Sequence, residues 1–225
     1  MGEPGVLLGA GRASDIFALG GGRVLRRLRS PGDTVAEAAV MQHARSHGFP
    51  APEVYEVTAT EMVMDRVDGP TMLDEIIHDP GGVQDHAAVL AALHRLLEVV
   101  PAPCWLRRPF PDGDRLVHLD LHPGNVILSA GDPMVIDWTN AAAGPPGADS
   151  ALVWLLARVA IEVRSPETAG RAEVLESFLA AFLDRIDFNA ARATLPTLAT
   201  MRLHDPNMTA AEKSVIRTLV PAAAG

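Results

Sequence analysis

Between residues 6 and 64 apolar and polar positions alternate in short bursts, separated by glycine-rich breaks at 9–11 and 20–22. Alternation puts every second side chain on one face, as in strands that bury one side, and glycine clusters supply the turns between them. The pattern predicts strands over 6–8, 15–19, 23–28, 54–58 and 61–64. Between the third and fourth of these the spacing becomes helical, predicting a helix over 34–47 that Gly48 and Pro50 stop.

After Asp68-Gly69-Pro70 the period changes. Val83, Ala87, Leu90, Leu93, Leu97 and Val100 form the stripe of an amphipathic helix. Prolines at 101, 103, 109 and 111 then force an irregular loop, and residues 116–128 and 134–136 read as strand-like pieces around a turn. Helical spacing resumes over 152–163 and 175–186. The expected class is α+β with two lobes: an antiparallel-sheet lobe over 1–66 and a mostly helical lobe over 67–225.

Composition narrows the class without naming an activity. With 48% apolar and 21% charged residues among 225, the chain is globular rather than disordered. A net charge of −9 speaks against nucleic acid or an anionic membrane as partner. The apolar run at 151–157 falls far short of the ~20 residues of a membrane span, and residues 1–8 lack the basic segment of a secretory signal, so a cytoplasmic protein is expected. Cys104 is the only cysteine, which excludes an internal disulfide and a cysteine-built zinc site. Lys213 is the only lysine, so a cation needed earlier in the chain must be arginine.

The densest chemistry lies in His118-Leu-Asp120-Leu-His122-Pro-Gly-Asn125, followed by Ile136-Asp137-Trp138. His-x-Asp-x-x-x-x-Asn, with a second Asp after an apolar strand, suits phosphoryl transfer from a magnesium nucleotide. Asp120 would orient the acceptor hydroxyl and take its proton. The Asn125 carbonyl and the Asp137 carboxylate are hard oxygen ligands of the kind magnesium takes beside nucleotide phosphates. The same stretch supports another chemistry: His118, Asp120 and His122 alternate, would share one face of an extended segment and could hold a metal for hydrolysis.

At these residues the sequence resembles the aminoglycoside phosphotransferase and choline kinase family, which has the protein-kinase-like fold. The resemblance is carried by 118–125, by the Val-Ile-Asp-Trp run ending at Trp138 and by 144–151, and it extends over about 6–163. The family loop reads close to His-Gly-Asp-Leu-His-Pro-Gly-Asn; here Leu119 takes the place of the glycine. The resemblance implies Asp120 as catalytic base, Asn125 and Asp137 as metal ligands, and His118 and His122 as supports of the loop. It implies Asp149 as the loop's brace, although Asp149 also reads as the N-cap of the helix that follows.

Gly9 and Gly11, between two strands, could let backbone amides approach nucleotide phosphates; no Gly-Lys-Ser/Thr ending marks a Walker loop. Strand alternation over 24–28 lets only one of Arg26 and Arg27 enter a cleft, and Arg26 matches the family's phosphate-holding cation. Glu37 shares a helix face with Met41 and Ala44 and is the candidate partner of that cation. Thr34-Val-Ala-Glu37 equally reads as a capping box. Residues 62–69 resemble the family hinge, where the backbone of Met64, Asp65 and Arg66 would read adenine.

These residues point to an ATP- and magnesium-dependent phosphotransferase acting on the hydroxyl of a small molecule. A pseudokinase-like nucleotide-binding module is the alternative, motivated by the missing lysine and the short chain. A metal-dependent hydrolase built on His118, Asp120 and His122 is the third. Only 101–115 separates the long helix from the catalytic strand, where family members commonly insert a helical acceptor-binding region. Basic and acidic groups balance over 164–225 while the acidic excess lies in 1–163. An acceptor of low net charge is therefore expected, in a cleft bordered by 105–114 and the helix over 171–186.

Overall fold

A computed structural model of the protein describes residues 5–10, 14–30, 32–129, 132–163 and 170–223. The first part is one five-stranded antiparallel sheet, β1 (Leu7–Ala10), β2 (Ser14–Leu19), β3 (Arg23–Leu28), β4 (Val54–Val57) and β5 (Glu61–Asp65), in the order β1-β2-β3-β5-β4. Helix α1 (Thr34–Ser46) packs against β4 and β5. Ile16 stands opposite Arg26, which in turn stands opposite Met62. This register sends Arg26 and Arg27 to opposite faces. Arg27 pairs with Glu61 at 2.6 Å and lies over the Phe17 ring.

Helix α1 starts one residue earlier than a capping box on Thr34 requires. Asp33 is its N-cap and accepts from the Ala36 amide at 2.9 Å, while the Thr34 hydroxyl donates to the Thr58 carbonyl. Glu37 therefore falls beyond the reach of the box, and the capping alternative for it is corrected.

The rest of the chain is mostly helical. It runs through α2 (Met72–His78), α3 (Val83–Glu98), β6 (Arg115–Val117), β7 (Val126–Leu128), β8 (Pro133–Val135), β9 (Ala142–Gly144) and α4 (Ala148–Glu162). It ends in α5 (Ala172–Leu183), α6 (Phe188–Ala191), α7 (Leu195–His204) and α8 (Ala210–Ala223). The small strands pair as β6 with β9 and β7 with β8. Helix α2 was not anticipated, yet it begins with a capping box in which Thr71 and Asp74 each accept the other's amide. No described helix is long and apolar enough to cross a membrane.

One buried cluster joins the two parts, from Met41 and Ala44 on α1 through Phe49 and Met62 to Leu90 and Trp138. Each large side chain in it contributes roughly 1.5–3 kcal/mol of burial, so the sheet is held to the helical part by shared core. A second cluster gathers Val117, Leu119, Leu152, Leu155, Leu195 and Leu198, which seats α4 and α7 against the loop after β6. The connection from β5 to α2 runs so close to β7 that a Cβ at Gly69, where φ is 151°, would lie 2.2 Å from the Leu128 carbonyl oxygen. Only glycine fits that crossing.

Candidate functional site

The loop over 118–125 takes its shape from an internal brace. Asp149, buried in the first turn of α4, accepts from the backbone amides of His118 at 2.9 Å and Leu119 at 2.6 Å. It caps nothing, because the N-cap of α4 is Gly147, and the capping alternative for Asp149 is corrected. Burial raises its carboxyl to about 7, against the opposing pull of the two amides. Leu119 sits at φ 58°, a left-handed conformation that costs an L-residue roughly 1–2 kcal/mol. That explains why glycine suits the position; here the burial of the Leu119 side chain offsets the strain.

The two histidines are used within the loop. His118 is fully buried, its Nε2–H donates to the Ile136 carbonyl at 3.2 Å, and its ring lies 4.5 Å from that of Trp138. Burial lowers it to about 4, so it is neutral. His122 Nδ1 accepts from the Gly124 amide at 3.0 Å, and burial, with help from Arg202, holds this ring below its ordinary value. The segment is not extended: the left-handed Leu119 and the 3-10 turn at Pro123–Asn125 break the alternation. The described residues hold no group of three or more His, Cys, Asp or Glu arranged for a metal ion, which removes the ground for the His-Asp-His hydrolase.

Asn125 and Asp137 stand at the two ends of the β7–β8 hairpin. The Asn125 side-chain amide donates to the Asp120 carbonyl at 2.9 Å and to Asp120 Oδ2 at 3.1 Å, which leaves Asn125 Oδ1 without a partner among the described residues. Asp137, at φ 63° and with 47% of its side chain exposed, engages Oδ1 with the Thr139 hydroxyl at 3.0 Å and leaves Oδ2 free in the same sense. Two oxygen donors thus remain without a partner among the described residues, the donor chemistry a magnesium ion takes.

Arg26 connects this hairpin to the sheet. Its Nη1 lies 2.5 Å from Glu37 Oε1, its Nε donates to Ser14 Oγ at 3.2 Å, and its Nη2 comes within 4.0 Å of Asp137 Oδ1. Glu37, with 4% of its side chain exposed, also accepts from the Trp138 amide at 3.1 Å and the Thr139 hydroxyl at 3.2 Å. Thr139 was missed by the sequence reading; its signal was only adjacency to Asp137-Trp138.

A cavity of about 510 Å³ beside Arg26 is walled by Ile16, Val24, Met64, Ile127 and Ile136, with Gly9 at its edge. A Cβ at Gly9 would meet nothing within 4 Å, and Gly11 lies outside the described residues. The Asp65 amide donates to the Glu53 carbonyl and the Arg66 amide to the Gly22 carbonyl, both at 2.9 Å. Met64 pairs with Val24 and Val54 within the sheet. Val67, which also lines the cavity, has an amide without a partner among the described residues.

A second cavity, of about 770 Å³, shares Ser14, Arg26 and Asp137 with the first and is lined by Asp120 as well. Its walls include Arg107, Leu119, Leu152, Met201 and Arg202. No residue of α5 lines it, because α5 packs against α3 and α4; the expected border at 171–186 is replaced by α7 and the turn after it. Arg202, 82 residues beyond Asp120 in sequence, donates to Asp120 Oδ1 and, at 3.1 Å, to the Leu119 carbonyl, and lies 3.4 Å from Asp205. Burial alone would raise the Asp120 carboxyl, but His122 and Arg202 outweigh it and hold it below its ordinary value. Nothing in the sequence singled out Arg202, one arginine on a helix whose register against the loop is set by core packing.

Residues 87–196 match the family model described as the phosphotransferase enzyme family. Among solved structures, choline kinase LicA from Streptococcus pneumoniae shares 13% identity at a TM-score of 0.63, over 97% of this chain and 92% of that one. A thermostable mutant of aminoglycoside phosphotransferase APH(4)-Ia, in ternary complex with AMP-PNP and hygromycin B, shares 16% identity at 0.60, over 98% and 94%. Amicoumacin kinase hAmiN, in complex with AMP-PNP, Ca2+ and Ami, shares 16% at 0.57, over 100% and 89%. Among curated proteins no sequence matches. The chain has the protein-kinase-like fold, and its resemblance to aminoglycoside phosphotransferases and choline kinases stands.

Proposed function

We propose that this protein is a small-molecule kinase that moves the γ-phosphoryl group of ATP to a hydroxyl, with magnesium, in the cytoplasm. The observation that carries the reading is convergence: Arg26 from the sheet and Glu37 from α1 meet Asp137 and Thr139 of the helical part beside Asp120 and Asn125. Residues 1–66 and 67–225 act as the two lobes around that cleft.

In this reading the smaller cavity takes the nucleotide. Its aliphatic walls sandwich the base, and the hinge at Met64, Asp65 and Arg66 borders it, with the open Val67 amide as donor. Gly9 and Gly11 cover the phosphates. Arg26 takes the role of a lysine, oriented by Glu37 so that its fork meets phosphate oxygens. Asn125 and Asp137 hold magnesium, which when bound would neutralise charge on the phosphates. Asp120 accepts the acceptor's proton as the acceptor oxygen bonds to the γ-phosphorus, the bond to the β–γ bridging oxygen breaks and ADP leaves. His118, His122 and Asp149 keep the loop in shape.

The test is ADP release by the purified full chain with MgATP and a panel of amino, neutral and acidic alcohols. Acceptor-dependent release that disappears without magnesium is expected. Nucleotide binding without release for any alcohol would favour the pseudokinase-like module, and no binding of MgATP would contradict both.

A further inference from the structure

Asp120 is paired before any acceptor arrives. Its Oδ1 is held by Arg202 and its Oδ2 by the Asn125 amide. The Arg202 side chain is 13% exposed and that of Asp120 18%, so this ion pair is sheltered rather than a solvated surface contact. A hydroxyl approaching Asp120 Oδ1 competes with the guanidinium for that oxygen, and leaving a sheltered arginine unpaired is costly. Asp205, at 3.4 Å, meets only its Nη1 edge.

The rest of the cavity wall narrows what could take over the exchange. Arg107 also lines it and donates only to the carbonyls of Asn140 and Ala141; no carboxylate lies within ion-pair distance of it among the described residues. Of the three carboxylates on the wall among the described residues, Asp120 and Asp205 are already paired with Arg202, and Asp137 is the one assigned above to magnesium. Arg26, the third arginine on the wall, is paired with Glu37, and His204 is turned to the Thr200 carbonyl. Leu119, Leu152 and Met201 supply an apolar stretch between the charged ends.

We propose that the acceptor carries an anionic oxygen group beside its hydroxyl, that Arg202 and Arg107 receive this group, and that its arrival draws Arg202 off Asp120. Arg202 is then the residue that reads the acceptor, and the base is released only when an acceptor of this class is bound. Carboxylate and phosphate share the required chemistry, since each offers paired oxygens to a guanidinium fork. The inference rests on the kinase reading and concerns its acceptor cavity alone.

Calorimetry tests it on the full chain saturated with magnesium and AMP-PNP, so that the nucleotide's own phosphate positions are filled. Malonate and inorganic phosphate are titrated separately into the wild type, Arg107→Met, Arg202→Met and Arg202→Lys, with thermal melting to verify folding. At least one anion is expected to bind the wild type, roughly tenfold or more weakly to each Met variant, with partial retention in Arg202→Lys. Which of the two binds more tightly distinguishes a carboxylate from a phosphate acceptor. Binding of neither anion, or equal binding by all four proteins, would overturn the proposal. So would a loss of AMP-PNP affinity in Arg202→Met, which would assign Arg202 to the nucleotide's phosphates. If the wild type does not take AMP-PNP at all, the kinase reading itself has failed.

Discussion

The proposed nucleotide and acceptor sides of the cleft each hold an arginine, and the two arginines are held in opposite ways. Arg26 is held by a glutamate that needs no freedom, so Asp137 keeps an oxygen open toward the cleft. Arg202 is held by Asp120, the group proposed as the base. The first side is assembled in advance from the sheet, α1 and the β7–β8 hairpin; in the second, on the proposed reading, the ion pair holds the base until an acceptor exchanges with it. On the proposed reading, preorganisation lies where the nucleotide would bind and discrimination where the acceptor would enter.

The sharpest way to break this comparison is to remove the base. Asp120→Asn is expected to lower acceptor-dependent turnover by ~10²- to 10⁴-fold while AMP-PNP affinity stays near that of the wild type, because the carboxylate serves the acceptor side. Loss of nucleotide binding in this variant would erase the division. Asp137→Ala should act on the other side. Losing even an outer partner of a metal ligand commonly costs about 10- to 100-fold in metal affinity, so losing a direct ligand should weaken magnesium-dependent ATP binding at least as much. Titrations with and without magnesium check this, and equal metal dependence in variant and wild type would count against the assignment.

A double-mutant cycle sharpens the nucleotide side. Arg26→Ala and Glu37→Ala are expected to be non-additive in nucleotide affinity by roughly 0.5–3 kcal/mol, since they share one ion pair. Strict additivity would mean that Glu37 serves only its backbone contact with Trp138 and its bond to Thr139.

How much of this was legible in the sequence follows the same divide. The strands, the inward face of Arg26 and the loop from His118 to Asn125 could be read because each depends on local period or close spacing. The capping alternatives for Glu37 and Asp149 failed by small offsets: Asp33 starts α1 early, and Gly147 starts α4 ahead of Asp149. Strand β9 had no apolar pattern to announce it, being Ala-Ala-Gly paired to β6. Helix α2 carries its signal in the Thr71-x-x-Asp74 capping box, whereas the apolar stripe that marks a helical period begins only at Val83. Arg202 had none, because its meeting with Asp120 is decided by how Leu195 and Leu198 seat α7 against Leu119 and Leu152.

Two smaller effects probe the loop that separates the sides. Leu119→Gly removes about 1–2 kcal/mol of left-handed strain but also a buried leucine, whose loss commonly costs about 2–5 kcal/mol. A net fall in melting temperature of several degrees is expected, at about 2–4 °C per kcal/mol for a chain of this size; a rise would mean that strain dominates. The pH dependence of stability should be gentler. His94, buried on α3 with its Nε2 3.2 Å from the Leu121 carbonyl, and His118 are held by burial at about 3 and about 4 against an ordinary 6.5; they refuse protons that the unfolded chain accepts, so stability is lost as pH falls from 6.5 toward those values. Asp149, raised to about 7 from 3.8, acts in the opposite sense, its contribution being lost as pH rises across that interval. Two histidines outweigh one carboxylate, so stability should rise with pH between about 4 and 6.5, and His94→Gln should flatten that rise in urea titrations. An unchanged slope would remove His94 from the account.

The central claim, that the two sides together bring a γ-phosphoryl group to an acceptor hydroxyl beside Asp120, is tested most directly by phosphorus NMR of the full chain with MgATP and the whole alcohol panel, its acidic members included. Growth of ADP together with a new phosphomonoester resonance, absent in Asp120→Asn, is the expected result. ATP that stays intact with every alcohol, or ADP that appears only with free phosphate and at the same rate in Asp120→Asn, would contradict it.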